Sequence, residues 1–548
     1  MAQVLSMGCS VGSNVRVVAR RGTLEISSRY LARDVSEDFE VDRKILGTGF
    51  SGPVKQAKQK ATGRLVALKA FKKTGLSWDK LQFLKAEVNI YLGLDHPNVA
   101  RLLFVYETSS DITLVMEYCS GGELYTALHN AVKFTEFSAA ETAYNMLLSV
   151  QYLHANGIAH RDLKLQNFLY ADKEHTMLKL IDFGFSKVWD SKHLMHQCCG
   201  SLCYVAPEVL HRKYTDQADM WSMGVMVYIL LSGQPPFRGH DDQEIIENIL
   251  NNNYTFKRPQ FKSVSLQAQT FVGKLLVRDP AQRLTASQAL LDPWIAQRNE
   301  AQVVQLDRQV LEDLKEFAVS SSLRRAVLTA MAYSLTSAEI KEFSGVFLAL
   351  DTQHTGKITM AEFVGALQGN LETSTTEMKL IFDGLDVLKD GEIHYTEFVA
   401  ALLSNRVRLH EGSLRELFRR FDHEGTGTIS RNDLKQVLGS VASEVDELLT
   451  EVDASGKEVI DYERFLASLQ AKPVTTSRAL DAAVALVDSA QDSQPVEEVC
   501  RGSSRGAILK ELGGREWGAL TPDERKTARA AIAAEGNHKL RTLSGVPA

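Results

Sequence analysis

The regular patterning of the chain starts at Phe39, where short apolar and β-branched runs are separated by glycines. Runs of about four to eight such residues, bounded by glycine, are typical of strands in an antiparallel sheet. The pattern predicts strands at Phe39–Leu46, Val54–Lys58 and Leu65–Phe71, with Gly47–Gly52 as the turn between the first two. A β-rich unit is therefore expected at this end of the patterned region.

Beyond these strands the spacing of apolar residues changes to the period of a helix. It predicts a helix at Trp78–Leu92 and then a mostly helical region from Leu124 to Trp294. A β-rich lobe followed by a larger helical lobe is the expected shape of residues 39–294.

The C-terminal half contains an internal repeat, which decides the fold of that region. Four segments begin with aspartate at 351, 386, 422 and 453, at spacings of 35, 36 and 31 residues. Helical patterns flank each segment, and an isoleucine stands at the eighth position of each, namely Ile358, Ile393, Ile429 and Ile460. An all-α domain of four similar units is predicted for residues 337–470.

The remaining segments are weakly patterned. Residues 1–38 are predicted to form a variable, mobile arm, and residues 295–336 form a charged, helix-compatible junction. Residues 471–548 are rich in Ala, Ser and Gly, so a largely disordered extension is expected, with one short helix near Pro522–Ala534.

Composition restricts the class of protein. The 548 residues carry 62 basic and 68 acidic side chains, and the net charge of −6 argues against a nucleic-acid partner. Six cysteines in a chain of this length indicate reduced thiols rather than a disulfide framework. The longest apolar stretch, Gly224–Leu231, is well short of the roughly 20 residues that span a bilayer. A cytoplasmic protein, or a nuclear one, is expected.

A glycine-rich string between the first two strands suggests a phosphate-binding turn. Gly47-Thr48-Gly49-Phe50-Ser51-Gly52-Pro53-Val54 lets backbone N–H groups approach phosphate oxygens closely. A dinucleotide-binding turn would lead directly into a helix, whereas a strand follows here. Lys69 then lies on a predicted buried strand, and Glu87 on the next helix offers a carboxylate to hold it.

Three further strings make the pattern specific. They are His160-Arg161-Asp162-Leu163-Lys164-Leu165-Gln166-Asn167, Asp182-Phe183-Gly184 and Ala206-Pro207-Glu208. In this order and spacing, residues 39–294 resemble a eukaryotic protein kinase, which implies a bilobal α+β fold and ATP as the phosphoryl donor. Glu208 is expected to form a structural ion pair with Arg283.

The resemblance assigns catalytic roles to individual residues. Lys69 contacts the α- and β-phosphates and is oriented by Glu87, while Asp182 and Asn167 hold Mg²⁺. Asp162 accepts the proton of the substrate hydroxyl, and Lys164, two residues later, is the serine/threonine-kinase residue at that position.

The resemblance also assigns the nucleotide pocket and a substrate contact. The pocket residues are Gly47, Thr48, Gly49, Gly52, Val54, Ala67, Lys69, Met116 (the gatekeeper), Glu117, Cys119 and Glu123. Glu123 matches the position that binds ribose and an upstream substrate arginine, so protein substrates with Ser or Thr near basic residues are expected. A second acid common at this site is replaced by neutral Gln166, which weakens that preference.

The four repeats read as 12-residue EF-hand loops, in which positions 1, 3, 5, 7 and 12 supply oxygens to Ca²⁺. Loop 1 is complete in oxygens, loop 2 has Leu388 at position 3, and loop 3 ends on a shorter aspartate. Loop 4 carries Lys457 and Arg464 at ligand positions and is expected to be structural. The predicted ligands are Asp351, Gln353, Thr355, Lys357 and Glu362; Asp386, Asp390, Glu392 and Glu397; and Asp422, Glu424, Thr426, Thr428 and Asp433, with position 7 contributing a carbonyl.

A kinase, a junction and four EF hands in this order resemble the calcium-dependent protein kinases of plants and protists. That resemblance implies a multidomain, calcium-regulated serine/threonine kinase using ATP, Mg²⁺ and Ca²⁺. It identifies Leu306–Phe317, followed by Leu323–Val327, as an autoinhibitory junction helix and an intramolecular partner of the EF hands.

Two alternatives remain open from the sequence: a kinase whose calcium control has decayed, and a pseudokinase scaffold that docks partners through its EF hands. The scaffold would require loss of a catalytic group, yet Lys69, Asp162, Asn167 and Asp182 are all present. Membrane association is expected only if translation starts at Met7, which would allow acylation at Gly8 and Cys9.

Overall fold

The computed structural model of the chain describes residues 29–49, 52–131, 133–183, 187–188, 195, 202–298, 308–367, 374–403, 411–422, 424–438 and 459–470. The predicted helix in the tail, the acylation site and residues 453–458 of the fourth loop lie outside this part of the chain.

A six-stranded sheet forms the N-terminal lobe, in the order β1-β5-β6-β4-β3-β2. The strands are β1 (Tyr30–Leu31), β2 (Phe39–Gly49), β3 (Gly52–Gln59), β4 (Leu65–Lys72), β5 (Leu102–Glu107) and β6 (Asp111–Glu117). Helix α1 (Trp78–Leu92) begins at Ser77, whose side chain accepts a hydrogen bond from the Lys80 N–H, and it matches the predicted bounds.

One expectation for this lobe is wrong. Residues 29–38 are not a mobile arm, because β1 pairs in parallel with β5 and extends the sheet. Arg29 is buried, and its guanidinium donates to the carbonyls of Leu92 and Leu102. Burying a charged group requires such partners, and only the folded lobe supplies these carbonyls.

The larger lobe is helical, as predicted. Its regular elements are β7 (Gly122–Glu123), α2 (Leu124–Ala131), α3 (Glu136–Ala155), β8 (Ile158–Ala159), β9 (Phe168–Tyr170), β10 (Leu178–Leu180), β11 (Lys187–Val188), α4 (Pro207–Leu210), α5 (Gln217–Ser232), α6 (Asp242–Leu250), α7 (Leu266–Leu275), α8 (Ala286–Leu290) and α9 (Pro293–Ala296). Helix α5 is apolar on nearly every face and is buried along its length, so it forms the centre of the lobe.

The junction forms two helices rather than one, α10 (Arg308–Ala318) and α11 (Ser322–Ser334), with Ser321 capping the second. The EF-hand region follows with α12 (Ser337–Leu350), β12 (Lys357–Thr359), α13 (Met360–Leu367), α14 (Thr375–Leu385), β13 (Glu392–His394), α15 (Tyr395–Leu403), α16 (Glu411–Phe421), β14 (Ile429–Ser430), α17 (Arg431–Leu438), β15 (Val459–Ile460) and α18 (Tyr462–Gln470). Strands β12 and β13 pair, as do β14 and β15, so the loops lie in two pairs.

Both junction helices share one hydrophobic core with the EF-hand helices. Val310, Leu314, Phe317, Leu323 and Val327 are buried in this core. The EF-hand region therefore holds the predicted autoinhibitory segment. Among the described residues, no helix is both long and apolar enough to cross a membrane.

Candidate active site and calcium loops

The loop between β8 and β9 is held by one buried carboxylate on α5. Asp219 accepts hydrogen bonds from the backbone N–H groups of His160 and Arg161, each at 2.9 Å. His154 lies 2.9 Å from the same carboxylate. Because Arg161 has a positive φ of 69°, these bonds stabilise a backbone conformation that a non-glycine residue seldom adopts.

Asp162 lies at the centre of this loop with most of its surface buried. Lys164 Nζ is 2.6 Å from Asp162 Oδ2, and the Asn167 side-chain amide donates to the Asp162 carbonyl at 2.8 Å. The three residues predicted from the loop motif are thus brought together, with the carboxylate held in place by a neighbouring ammonium group.

Lys69 reaches across the cleft between the lobes. Its Nζ lies 2.9 Å from Asp182 Oδ1, and it is 8% exposed on β4. Asp182 has a φ of 62°, and the neighbouring Ile181 N–H bonds to the Asn167 carbonyl at 2.8 Å. The lysine, the second acid and the loop asparagine therefore belong to one connected site.

The predicted contact between Lys69 and Glu87 is wrong for this conformation. Glu87 lies on α1 near Lys69 but outside ion-pair distance, since Lys69 pairs with Asp182 instead. Burial raises the pKa of Glu87 to about 7, and the fields of Arg161 and Lys69 only partly oppose that shift. A carboxyl group without a close cation in a poorly solvated position is easier to protonate than the same group in water.

The glycine string forms the hairpin between β2 and β3. Gly47 pairs with Val54, Thr48 with Pro53, and Gly49 with Gly52. Gly52 has a φ of +119°, which a residue with a Cβ seldom adopts, so the turn specifically requires glycine there. The tip of the string, Phe50 and Ser51, lies outside the described residues.

The predicted adenine pocket lies where β4 and β6 pair, with Ala67 opposite Met116. The Glu117 side chain is buried and bonds to Lys179 Nζ at 3.1 Å and to the Arg101 N–H at 3.2 Å. Burial raises the pKa of Cys119 to about 12, so this thiol stays protonated at neutral pH. The Glu117 side chain is already engaged, so only the backbone of this residue is left to contact the adenine of a nucleotide.

Glu123 is half-buried and lies on β7, the short strand that pairs with β9. The chain leading to it approaches the larger lobe so closely that a Cβ on Gly121 would lie 2.0 Å from the Asp172 carbonyl oxygen. That close approach fixes the backbone that leads to Glu123.

The expected ion pair between Glu208 and Arg283 is present. The guanidinium binds both carboxylate oxygens, at 2.7 and 3.2 Å, and also donates to the Val277 carbonyl. Because both partners are buried, this pair ties α4 to the loop after α7 without touching the catalytic residues.

Loop 1 of the EF-hand region is closed on itself. Asp351 accepts hydrogen bonds from the N–H groups of Thr355 and Gly356, at 2.9 and 2.7 Å. Glu362 returns to the loop and accepts from the Gln353 N–H at 3.0 Å and the Thr359 N–H at 3.0 Å. The acids at positions 1 and 12 thus face the same loop, as a calcium site requires.

Loops 2 and 3 repeat this arrangement. Asp386 accepts a hydrogen bond from the Gly391 N–H. Glu397 accepts hydrogen bonds from the N–H groups of Leu388 and His394. In loop 3, Asp433 spans the loop as the two glutamates do, accepting from the N–H groups of Glu424 and Ser430 at 3.1 and 2.8 Å. The shorter acid therefore reaches the loop. The other predicted ligands, Lys357, Asp390, Glu392, Asp422, Thr426 and Thr428, occupy the expected loop positions.

The described part of loop 4 differs from the others at position 12. Arg464 lies 3.6 Å from Asp461 and donates to the Val459 carbonyl, the position-7 oxygen of that loop, at 3.4 Å. A guanidinium on this oxygen opposes a metal ion, so the geometry agrees with a structural role.

Calcium binding should release protons near neutral pH. Burial raises the pKa of Asp351 to about 7 and that of Glu397 to about 8. Both acids keep part of their protons in the metal-free protein and lose them to Ca²⁺, so affinity should rise by up to about tenfold per pH unit below pH 8. Calorimetry in buffers of different ionisation enthalpy measures the released protons.

The raised pKa values of Asp351 and Glu397 also determine how the stability of the calcium-free protein changes with pH. A carboxyl with a raised pKa stabilises the calcium-free fold at low pH, and that contribution is lost as pH rises through about 7 to 8. Glu397→Gln should reduce both the proton release and this loss, whereas exposed Asp383→Asn should change neither. Calcium binding without proton release near pH 7 would contradict the assignment.

The EF-hand region is docked on the kinase lobes through buried polar contacts. Asp95, in the loop after α1, accepts from the Thr396 N–H at 2.8 Å and from Thr396 Oγ1 at 2.7 Å. Arg101 donates to the carbonyls of Ala332 and Leu335, at the end of the junction. Thr396 is adjacent to Glu397, so this contact lies next to the last ligand of loop 2.

Loop 1 also touches α3 of the larger lobe. Asn156 donates to the Thr355 carbonyl at 3.2 Å, and Gln151 donates to the Gln353 carbonyl at 3.5 Å. A Cβ on Gly356 would lie 2.2 Å from the Tyr152 ring, so glycine at this loop position serves both the turn and the docking.

Sequence reasoning missed Asp219 and Asp95. Asp219 had a usable signal, because it is an acid near the start of an otherwise apolar helix and a buried acid requires partners. Asp95 had none, since its partner is 301 residues away in the chain.

Comparison with known proteins agrees with this division. A protein kinase domain family matches residues 40–295, an EF-hand domain pair matches residues 323–403, and an EF-hand domain matches residues 413–442. Calcium-dependent protein kinase 17 of Arabidopsis thaliana is 35% identical over 80% of this chain and 84% of its own length. Calcium-dependent protein kinase 11 of Oryza sativa is 34% identical over 81% and 79%, and calcium-dependent protein kinase 5 of Plasmodium falciparum is 31% identical over 79% and 78%.

Proposed function

Because this chain belongs to the calcium-dependent protein kinase family, we propose a role for each group in its active site and calcium loops. It is a calcium-regulated serine/threonine protein kinase that uses ATP, Mg²⁺ and Ca²⁺. The observation that carries the residue roles is the connected set formed by Lys69, Asp182, Asn167 and Asp162, which spans the cleft between the lobes.

The residues of the cleft suit a nucleotide with magnesium. Gly49 and Gly52 pair without side chains at the base of the turn, and Lys69 brings a cation to the same cleft where Asp182 and the amide of Asn167 offer oxygens. Bound Mg²⁺ neutralises the charge that develops on the transferred phosphoryl group. Asp182 and Asn167 are the proposed ligands.

Asp162 is the proposed base for the substrate hydroxyl. Its carboxylate is held by Lys164 at 2.6 Å, and the backbone of the preceding residue, Arg161, is held by Asp219, so it is oriented before substrate arrives. The Lys164 ammonium is proposed to stabilise the negative charge that develops on the transferred phosphoryl group.

Lys69 has to change partners before transfer. In this structure Lys69 pairs with Asp182, whereas a kinase needs Lys69 on Glu87 and Asp182 on magnesium. A small movement of α1 would supply the pair, and the raised pKa of Glu87 means that the pairing is accompanied by loss of a proton.

Substrates with an upstream basic residue are favoured by Glu123. Its half-buried carboxylate offers one negatively charged acceptor at the cleft. Gln166 is neutral and supplies no second negative charge.

Glu123→Gln should lower kcat/KM for an arginine-containing peptide by about two- to fivefold, as expected for loss of one partly exposed charge pair. A matched peptide with alanine in place of arginine should lose much less. The exposed Glu174→Gln is the control. Equal losses for both peptides would contradict the assignment.

Calcium is proposed to act mainly through loops 1 and 2. Loop 1 has acids at its first and last ligand positions, and two of its carbonyls accept hydrogen bonds from Gln151 and Asn156 of the larger lobe. Loop 2 lies beside the Asp95–Thr396 contact. Loop 3 has acids at its first and last ligand positions. In loop 4, Arg464 stands at the last ligand position and excludes calcium from that loop. A peptide-kinase assay with calcium and with chelator tests this regulation directly.

Glu362→Gln should raise the calcium concentration for half-maximal activation about tenfold, because one bidentate ligand is weakened. Asp433→Asn should shift it less, since the described contacts of loop 1 reach the kinase lobe. Asp453→Asn in the fourth loop is the matched control and should have no effect. A larger shift from Asp433→Asn would reverse this ranking.

The junction is proposed to inhibit the kinase when the EF hands release it. Its apolar residues are buried in the EF-hand core, which keeps them from any other surface. Deletion from residue 306 onward should therefore give a calcium-independent enzyme. A deleted enzyme no more active in chelator than the full chain would contradict autoinhibition.

A further inference from the structure

The second EF-hand loop carries a group of possible metal-binding side chains that runs from exposed Asp390 to buried His394. Glu392 and His394 lie on the same face of β13, because successive residues of a strand point to opposite sides and Ile393 is buried between them. Asp390 joins them across the turn at Gly391, which has a φ of +84°. These three side chains come from positions 5, 7 and 9 of the loop.

Their ligand atoms form a compact group. Asp390 Oδ2 lies 2.9 Å from His394 Nε2, and one ligand atom from each of the three residues lies within 4.8 Å of the others. A tetrahedral zinc ion with bonds of about 2.0–2.2 Å separates its ligands by roughly 3.4 Å. Only small side-chain movements would therefore bring all three onto one ion.

The chemistry of the group favours a transition metal over calcium. Calcium takes oxygen ligands, whereas imidazole suits zinc, copper and nickel. His394 is 8% exposed and its Nε2 already contacts the Asp390 carboxylate, so the nitrogen and the carboxylate that would share an ion lie side by side. Calcium in the same loop would instead use the inner oxygens of Asp386, Asp390 and Glu397.

One neighbouring cation already interacts with the group. Lys357 is paired directly opposite His394 on β12, and its ammonium bonds to the Glu392 carboxylate. A metal ion would have to displace this ammonium from Glu392. The side chain of Lys357 therefore competes with a metal for the same carboxylate, while its carbonyl belongs to loop 1.

We infer that Asp390, Glu392 and His394 form a binding site for Zn²⁺, completed by water. Asp390 is shared with the calcium loop, so the two ions compete for it and zinc weakens calcium binding at loop 2. The site gives the regulatory region a second metal input that is independent of the phosphoryl-transfer chemistry.

Zinc titration of the full-length protein tests this site, with competition against a chromophoric zinc chelator after metal removal. His394→Gln should weaken one zinc-binding event at least tenfold, while exposed His240→Gln, the matched control, should not. Lys357→Gln should tighten the same event, because it removes the competing ammonium.

The gain expected for Lys357→Gln keeps the test independent of any loss of folding in the other variants. Added zinc should also raise the calcium midpoint of the wild-type protein and not that of His394→Gln. Zinc binding that is the same in wild type and His394→Gln, or unchanged in Lys357→Gln, would overturn the site.

Discussion

Asp162→Asn is expected to lower kcat by about 10³–10⁴-fold, because it removes the group that accepts the hydroxyl proton. The asparagine keeps the size of the side chain, and the Asp219 clamp acts on backbone groups that the change leaves in place. ATP binding and the melting temperature should therefore stay close to those of the wild type. A steady-state assay with a serine peptide, together with a thermal melt, measures both quantities.

Asp242→Asn is the matched control, since this acid is exposed at the start of α6 and remote from the cleft. Lys69→Met gives an independent route to the same conclusion, because it removes the cation on the phosphates and leaves the base. A pseudokinase scaffold would lose nothing in either variant, so unchanged phosphorylation would exclude the proposed residue roles.

The elements around this centre could be predicted because their signals are local. The helix at Trp78–Leu92 follows from its apolar period, and the hairpin around Gly52 follows from glycine between β-branched runs. The loop from His160 to Asn167 was recognised as a motif, and the Glu208–Arg283 pair followed from the family resemblance.

The missed features depend on contacts between distant parts of the chain. Lys69 pairs with Asp182 rather than with Glu87, and the position of α1 in the fold leaves Glu87 outside ion-pair distance. The ordering of residues 29–38 depends on carbonyls at the ends of α1 and β5 that accept from Arg29. No periodicity within either segment encodes such a partner.

The contact between Asp95 and Thr396 has the same origin, and it leads to the second prediction. Asp95→Asn should weaken docking of the EF-hand region about 10- to 100-fold, because hydrogen bonds to a buried charged group contribute about 1.5–3 kcal/mol. An asparagine would keep one acceptor oxygen for the Thr396 N–H, but it would present an NH2 group in place of the second acceptor and would carry no charge. Activation at saturating calcium should fall steeply, while activity in chelator stays unchanged. Peptide phosphorylation against calcium concentration measures both.

A double-mutant cycle with Thr396→Val separates this contact from a general loss of stability. If Asp95 acts through Thr396, the double variant should lose little more calcium activation than Asp95→Asn alone, because the same pair is broken once. The exposed Asp383→Asn on α14 should leave activation intact. Additive losses would mean that the two residues act separately. Loop 2 would then communicate with the kinase lobe by a step other than docking at this contact, although its last ligand, Glu397, is adjacent to Thr396.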